Sequence, residues 1–313
     1  MLFFKRLMIP VDLHDQTFTV AEWILTWASE HSVEEVHLAY VDRVPEGTIA
    51  GAYEPVNREE WDSSEWATLH ARSDELGVLV SKKGFRMVPA IIRGASIANA
   101  LLGYAQNQSI ELIGMPSEGR LDDRKSLADV LIEQAPCPVL SIRYELAKRL
   151  TPSIRKVLVP IDFSDRAAQA LRSAREFVKH SHGKMTALNV IERTERVDQP
   201  ASKWEQQYNE AFPHYRQLPK LESFLNYAEG PRVRTHPALM YGDPVEACLT
   251  YLTTFQHDLI FMATRGEGKT GLFRFGSTAQ ELVRKAPCPV LTYKQHDLLQ
   301  VARKSKTATE VPA

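Results

Sequence analysis

Met8-Ile9-Pro10-Val11-Asp12-Leu13-His14-Asp15 and Leu158-Val159-Pro160-Ile161-Asp162-Phe163-Ser164-Asp165 are two versions of one phrase, 150 residues apart. Each is a short apolar run that ends in an aspartate and is followed by residues suited to starting a helix. A second pair, Ala135-Pro136-Cys137-Pro138-Val139-Leu140 and Ala286-Pro287-Cys288-Pro289-Val290-Leu291, is identical at an offset of 151. Both ends of the first half return at nearly one spacing. The repeating unit is therefore a whole domain, not a short solenoid repeat.

Outward from these phrases, each copy alternates strand-like and helix-like segments. In the second copy, strands are expected at Lys156–Ile161, Met185–Ile191, Val233–Met240, Asp258–Ala263 and Pro289–Tyr293. Helices are expected from a cap at Ser164 or Asp165 to His180, and over Leu221–Glu229, Pro244–Phe255 and Ser277–Lys285. The polar stretch Arg193–Pro219 reads as an irregular excursion. The first copy follows the same order, with strands near Arg6–Val11, Val36–Val41, Phe85–Ile92, Ile110–Gly114 and Val139–Arg143. Strands this apolar, alternating with helices, imply a parallel sheet covered on both faces. The expected fold class is α/β: two tandem, doubly wound, five-stranded parallel-sheet sandwiches of Rossmann-like type. The expected division is a domain over 1–144, a linker over 145–155, a second domain over 156–295 and a polar tail over 296–313.

Composition narrows the function classes. The chain has 313 residues, enough for about two domains at ~150 each. Its 38 basic and 39 acidic residues leave a net charge of −1, which offers no bulk attraction to nucleic acid or to an anionic membrane. No apolar run reaches the ~18 residues of a membrane span. The start, Met1-Leu2-Phe3-Phe4-Lys5-Arg6, puts apolar residues before charges, the reverse of a secretory signal. Three cysteines, Cys137, Cys248 and Cys288, make no disulfide framework and fit a reducing compartment. The expectation is a cytoplasmic protein with no nucleic-acid and no membrane partner.

In an open parallel sheet, ligands bind beyond the carboxyl ends of the strands. The richest such segment runs from Ala263 through Arg265, Gly266, Gly268, Lys269, Thr270 and Gly271 to Gly276-Ser277-Thr278. Glycines let backbone N–H groups approach an anion, Arg265 and Lys269 add positive charge, and a helix start follows. Ser277-x-x-Gln280 reads as a capping box. The segment is a candidate phosphate-binding loop, set against a plain surface loop with a routine cap. Asp162, at the end of a strand on the same rim, is either a hydrogen-bond acceptor for a ligand or a carboxylate that caps the next helix. Gly242-Asp243-Pro244, with its counterpart Gly94-Ala95-Ser96, reads as a structural helix start.

A rival reading is a P-loop-like ATPase, because Ala263-x4-Gly268-Lys269-Thr270 fits a relaxed phosphate-loop pattern. A true P-loop feeds straight into a helix, whereas the helix signal here waits until Ser277. A third reading is a nucleotide-free scaffold that binds an apolar ligand in the first copy near Trp61 and Trp66. Trp23 and Trp27 are spaced for a helix core. His180-x-His182 reads as a solvated helix end, and Cys137 and Cys288 as packing residues in matched places.

Taken together, these motifs resemble the universal stress protein family in its tandem form. The family's nucleotide motif, Gly-x2-Gly-x9-Gly-Ser/Thr, matches Ala263-x2-Gly266-x9-Gly276-Ser277 with alanine for the first glycine. The strand end at Asp162 and the Pro-Cys-Pro strand also resemble the family, and the resemblance covers nearly the whole chain twice. It implies a stress-response regulatory protein that holds ATP, with or without Mg²⁺, at the carboxyl rim of the second copy. Asp162 and the backbone of Val190 would meet adenosine; Gly266, Gly276, Ser277 and Thr278 would hold phosphates, beside Ala263 and Arg265. The first copy would serve as pseudo-symmetric partner, reproducing in one chain the dimer of single-domain relatives. A homodimer and a signalling protein are further partners of this reading. No catalytic base or nucleophile stands out; slow ATP hydrolysis or self-phosphorylation on Ser277 or Thr278 stays open.

The first copy departs from the motif. Counting from Gly114 to Ser126 against Ala263 to Ser277, its loop is two residues shorter, and Lys125 replaces the glycine before the cap. Glu118, Asp122 and Asp123 put negative charge where phosphates would sit, partly offset by Arg120, Arg124 and Lys125. This copy is expected not to take ATP in the family's way.

Overall fold

The structure is a computed structural model that describes residues 4–31, 33–56, 64–80, 84–118, 126–192, 214–264 and 276–293. The described residues fall into two units, one running to Ser153 and resuming at Leu291, the other spanning Ile154–Val290.

In the first unit, strand β1 (Arg6–Val11) leads through helix α1 (Asp15–Ala28) to β2 (Glu35–Arg43) and a short β3 (Glu54–Pro55). Then come α2 (Ser64–Val80), β4 (Arg86–Gly94), α3 (Ile97–Asn107), β5 (Leu112–Pro116), α4 (Leu127–Gln134) and β6 (Val139–Ile142). The strand order is β3-β4-β2-β1-β5-β6. All neighbours are parallel except the β3–β4 pair, which adds a two-residue antiparallel edge that the sequence did not announce. Leu7, Met8 and Ile9 of central β1 are fully buried, as a strand covered on both faces requires.

The second unit repeats the plan. It holds β7 (Lys156–Ile161), α6 (Asp165–Ser181), β8 (Lys184–Ile191), α7 (His214–Tyr227), β9 (Thr235–Tyr241), α8 (Pro244–Phe255), β10 (Leu259–Ala263) and α9 (Ser277–Lys285) before β11 (Val290–Tyr293). The order β10-β7-β8-β9 is parallel throughout. The repeated Pro-Cys-Pro phrase has one role in both copies: Ile113 N–H donates to the Pro138 carbonyl and Ile260 N–H to the Pro289 carbonyl, each at 3.0 Å. These bonds tie the fourth strand of each copy to the start of its fifth. Cys137 and Cys288 are each 4% exposed and in no disulfide among the described residues, in keeping with packing.

Two differences from the sequence reading have local causes. Helix α7 begins at His214, inside the stretch read as irregular; Pro219 in its interior breaks the propensity pattern without ending the helix. The stretch read as a linker opens with a helical turn, α5 (Tyr144–Ala147), and the Trp23 indole N–H donates to the Leu150 carbonyl at 2.9 Å. Trp23 and Trp27 are both buried on α1, as their spacing suggested.

Candidate functional site

In each unit the chain leaves the first strand toward one side of the sheet and returns later on the other. The reversal lies between β1 and β5 in the first unit and between β7 and β10 in the second, so a crevice opens at their carboxyl ends.

The aspartates that end β1 and β7 build matching turns. Asp162 Oδ1 accepts from the Ser164 N–H at 3.1 Å and from the Ser164 hydroxyl at 2.6 Å. Ser164 Oγ in turn accepts from the Ala167 N–H at 3.1 Å and caps α6. Asp12 Oδ1 accepts from the His14 N–H at 3.1 Å and from the Thr17 hydroxyl. Between each aspartate and the helix stands a bulky residue in the left-handed region, Leu13 at φ 65° and Phe163 at φ 63°. Glycine or asparagine is the usual occupant there, so no local signal announced this turn. The Phe163 ring meets Phe224 edge-on at 5.5 Å, and Lys220 Nζ stands 4.2 Å from its centre, so α7 braces the turn. Asp162 remains exposed at the rim while it orders the start of α6.

The two copies differ most at the helix that follows the fourth strand. In the second copy the cap of α9 is Gly276, not Ser277, and no side chain caps this end. The expected Ser277–Gln280 capping box is therefore absent: Ser277 is the first helical residue, and a box needs its hydroxyl one position earlier. Gly276 N–H donates to the Thr264 carbonyl at 3.2 Å, which draws the end of β10 and the start of α9 together. The first turn of α9 holds Ser277, Thr278 and Ala279, with no acidic residue. In the first copy, by contrast, Ser126 caps α4 with a complete box. Its Oγ accepts from the Asp129 N–H and Asp129 Oδ2 accepts from the Ser126 N–H, both at 3.0 Å.

The hydrogen-bond register also corrects the comparison between the loops. Met8 faces Ile113 as Leu158 faces Ile260, so Gly114 matches Phe261 and Ala263 matches Pro116. Gly114 lies inside β5, where a Cβ would come 2.9 Å from Ile24 Cγ2, and does not begin the loop. The cap Gly276 matches the cap Ser126, not Lys125. From these anchors the first-copy loop is three residues shorter, 10 positions from Pro116 to Ser126 against 13 from Ala263 to Gly276.

Of the residues singled out from sequence, Asp162, Val190, Ala263, Gly276, Ser277 and Thr278 are described. Val190 and Ala263 are half-buried near the carboxyl ends of β8 and β10. Arg265, Gly266, Gly268, Lys269, Thr270 and Gly271 lie outside the described residues, as do Arg120, Asp122, Asp123, Arg124, Lys125 and Trp61. Asp243 caps α8 by accepting from the Val245 and Glu246 N–H groups, and Ser96 caps α3, so both glycine-led starts are structural.

The rim of the first unit encloses a cavity of about 830 Å³. Val41, Leu101 and Met115 supply apolar lining, while Asp12, Asp15 and Glu118 bring carboxylates. Glu118 Oε2 accepts the Tyr144 N–H at 2.8 Å, so a side chain satisfies a backbone donor at this rim. A second cavity, of about 400 Å³, includes Trp66. Arg6, Glu35, Arg86 and Asn107 share its wall with Val56, Val88 and Ile91. There the buried His37 Nδ1 pairs with the Tyr104 hydroxyl at 2.8 Å, and burial pushes the Tyr104 phenol up to about 12. Among the described residues no three His, Cys, Asp or Glu side chains gather so as to hold a metal ion, and no helix is long and apolar enough to cross a membrane.

The comparisons with known proteins agree with the repeated rim. The model of the universal stress protein family matches residues 3–143 and again 153–294. The chain belongs to the universal stress protein family. It carries two family domains in tandem. A universal stress protein of Methanocaldococcus jannaschii is 29% identical over 143 residues, which is 45% of this chain and 82% of the relative. A relative from Thermus aquaticus is 45% identical over 58 residues, 18% of this chain and 42% of its own. The crystal structure of a universal stress protein from Archaeoglobus fulgidus superposes with a TM-score of 0.62 at 19% identity, covering 94% of this chain and 98% of the other. That last likeness is one of fold.

Proposed function

We propose that this universal stress protein is a regulatory protein that binds ATP at the carboxyl rim of its second domain, with the first domain as a partner that takes no phosphate. The observation that carries the reading is the contrast between two equivalent helix starts. At α9 the cap is a glycine and the first turn has no acidic side chain. Peptide N–H groups at such an end are ready to meet an anion, and the helix dipole favours negative charge there. At α4 the capping box engages the Ser126 and Asp129 N–H groups and sets the Asp129 carboxylate at the helix start, where it would repel a phosphate.

The residues present in the second domain suit a nucleotide. Asp162 offers a carboxylate at the rim, Val190 a strand end, and the Ser277 and Thr278 N–H groups that follow the Gly276 cap the donors for phosphate oxygens. When bound, ATP would bring its own Mg²⁺ as a counter-ion to its phosphates. The chain's part in this reading is to bind and orient the nucleotide, and the outcome passes to a signalling partner in the cytoplasm.

Calorimetric titration of the full chain tests the reading. One ATP per chain is expected, held at least tenfold more tightly than adenosine because the phosphates supply the contacts to α9. Equal affinity for adenosine and ATP, or two equivalent ATP sites, would contradict it.

A further inference from the structure

In both domains the helix that precedes the third parallel strand is tied back to the turn after the first strand, by different chemistry. In the first domain Arg72 of α2 pairs with Asp15 at the start of α1 and lies 5.3 Å from the centre of the Phe18 ring. In the second, α7 reaches the turn itself. Phe224, 8% exposed, meets Phe163 edge-on at 5.5 Å, and the exposed Lys220 sets its Nζ 4.2 Å from the Phe163 centroid. The Tyr227 hydroxyl donates to Asp165 Oδ1 at 3.4 Å. Further along α6, Arg175 donates to the Leu225 carbonyl at 2.7 Å and to the Ala228 carbonyl, and Arg172 pairs with Glu229 at 3.1 Å. Helix α7 is therefore fixed to α6 as well as to the turn.

Phe163 stands between the rim carboxylate and this helix pair. Its φ of 63° costs energy in any residue but glycine. That same conformation turns the Ser164 N–H and hydroxyl onto Asp162 Oδ1, at 3.1 and 2.6 Å. With the ring released, the chain can relax out of the left-handed region, and the Ser164 donors then swing away from the carboxylate. The first domain holds its turn otherwise: the Thr17 hydroxyl donates to Asp12, and Ala167 takes the place of Thr17 in the second domain. Resting on the nucleotide reading above, we propose that Phe163 is a positioning residue: through its ring, α7 aims the Asp162 carboxylate at the adenosine half of the nucleotide. Coupling of this kind is reciprocal, so adenosine at the rim also steadies α7.

Two variants of the full chain test this inference. Phe163→Leu removes the ring and keeps an apolar side chain of the kind that Leu13 carries at φ 65° in the first domain. Lys220→Gln, at an exposed position, removes only the cation over the ring. Calorimetric titration with adenosine and with ATP is paired with a thermal melt and with amide exchange in the presence and absence of adenosine. Phe163→Leu is expected to weaken adenosine and ATP by one common factor, about three- to tenfold, so that the ratio of the two affinities stays that of the parent. Lys220→Gln should act in the same direction by about two- to threefold. Adenosine should slow exchange over residues 221–228 in the parent and less so in Phe163→Leu. A lowered melt in Phe163→Leu with both affinities within about twofold of the parent would show a purely structural role and overturn the proposal. Loss of ATP affinity alone would place the effect on the phosphates at α9, and exchange in α7 indifferent to bound adenosine would break the coupling; either overturns it. A parent chain that binds neither adenosine nor ATP would overturn the nucleotide reading and this inference with it. Where the parent binds both, the variants judge this inference alone.

Discussion

Transferring the helix start of one domain into the other should transfer its refusal of phosphate. Gly276→Ser with Ala279→Asp writes the Ser126–Asp129 box onto α9, at the positions that the strand register makes equivalent. In α4 the two bonds of the box are 3.0 Å long, and the same geometry at α9 would engage the N–H of residue 279 and add a carboxylate beside the phosphate position. Two unit charges ~5 Å apart interact by roughly 1 kcal/mol in water and ~3 kcal/mol at an effective dielectric of ~20. The rim is open, so the lower half of that range applies to the charge, and the lost donor adds to it. A total of ~1–3 kcal/mol corresponds to a loss of about 5- to 150-fold in ATP affinity. The fold should not suffer, because serine is at least as good as glycine at a cap and the box supports the helix. The assay is calorimetric titration with ATP, paired with a thermal melt of the nucleotide-free chain. ATP affinity within twofold of the parent, with an unchanged melt, would refute the role given to the bare start of α9.

Three other outcomes follow from the same structure. Lys269→Ala should weaken ATP binding only severalfold if the peptide donors of Ser277 and Thr278 dominate; complete loss in a titration would favour the P-loop-like ATPase. At Phe163, with φ 63°, glycine should give a more stable protein than alanine by ~1 kcal/mol in urea unfolding, the reverse of the usual order, because alanine keeps the left-handed strain while both lose the ring. His257, buried against the Thr186 hydroxyl at 3.1 Å, is lowered to about 4, chiefly by burial and then by Lys156. The unfolded chain takes up a proton below ~6.5 that the native imidazole refuses until about 4, so stability falls as the pH drops through this window, by on the order of 2–3 kcal/mol. Urea midpoints at pH 7 and pH 5 should therefore move less in His257→Gln than in the parent; an equal shift would contradict the assignment.

The fold was legible because two long-range repeats fixed the unit and the strands read as apolar runs between helix starts. Lys156–Ile161, Pro244–Phe255 and Ser277–Lys285 have the bounds their residues suggest. What escaped was set by tertiary contacts. The left-handed Leu13 and Phe163 carry no turn chemistry in sequence, and Phe163 is held by α7, some 60 residues away. Sequence alone pairs Gly114 with Ala263, whereas hydrogen bonds between strands set the true register and put Gly114 in a strand interior. By residue type Ser277 is the better cap. The chain instead begins α9 one residue earlier, at Gly276, where the N–H bonds back to Thr264. The acidic character of Glu118 was legible, but its bond to the Tyr144 N–H and the cavity beside it needed the fold.

The asymmetry between the two domains is tested most directly by amide hydrogen exchange of the full chain with and without saturating Mg-ATP. Slowed exchange at residues 277–282, with residues 126–134 unchanged, is the predicted result. Slowing confined to residues 126–134, or no change at either helix, would contradict the account.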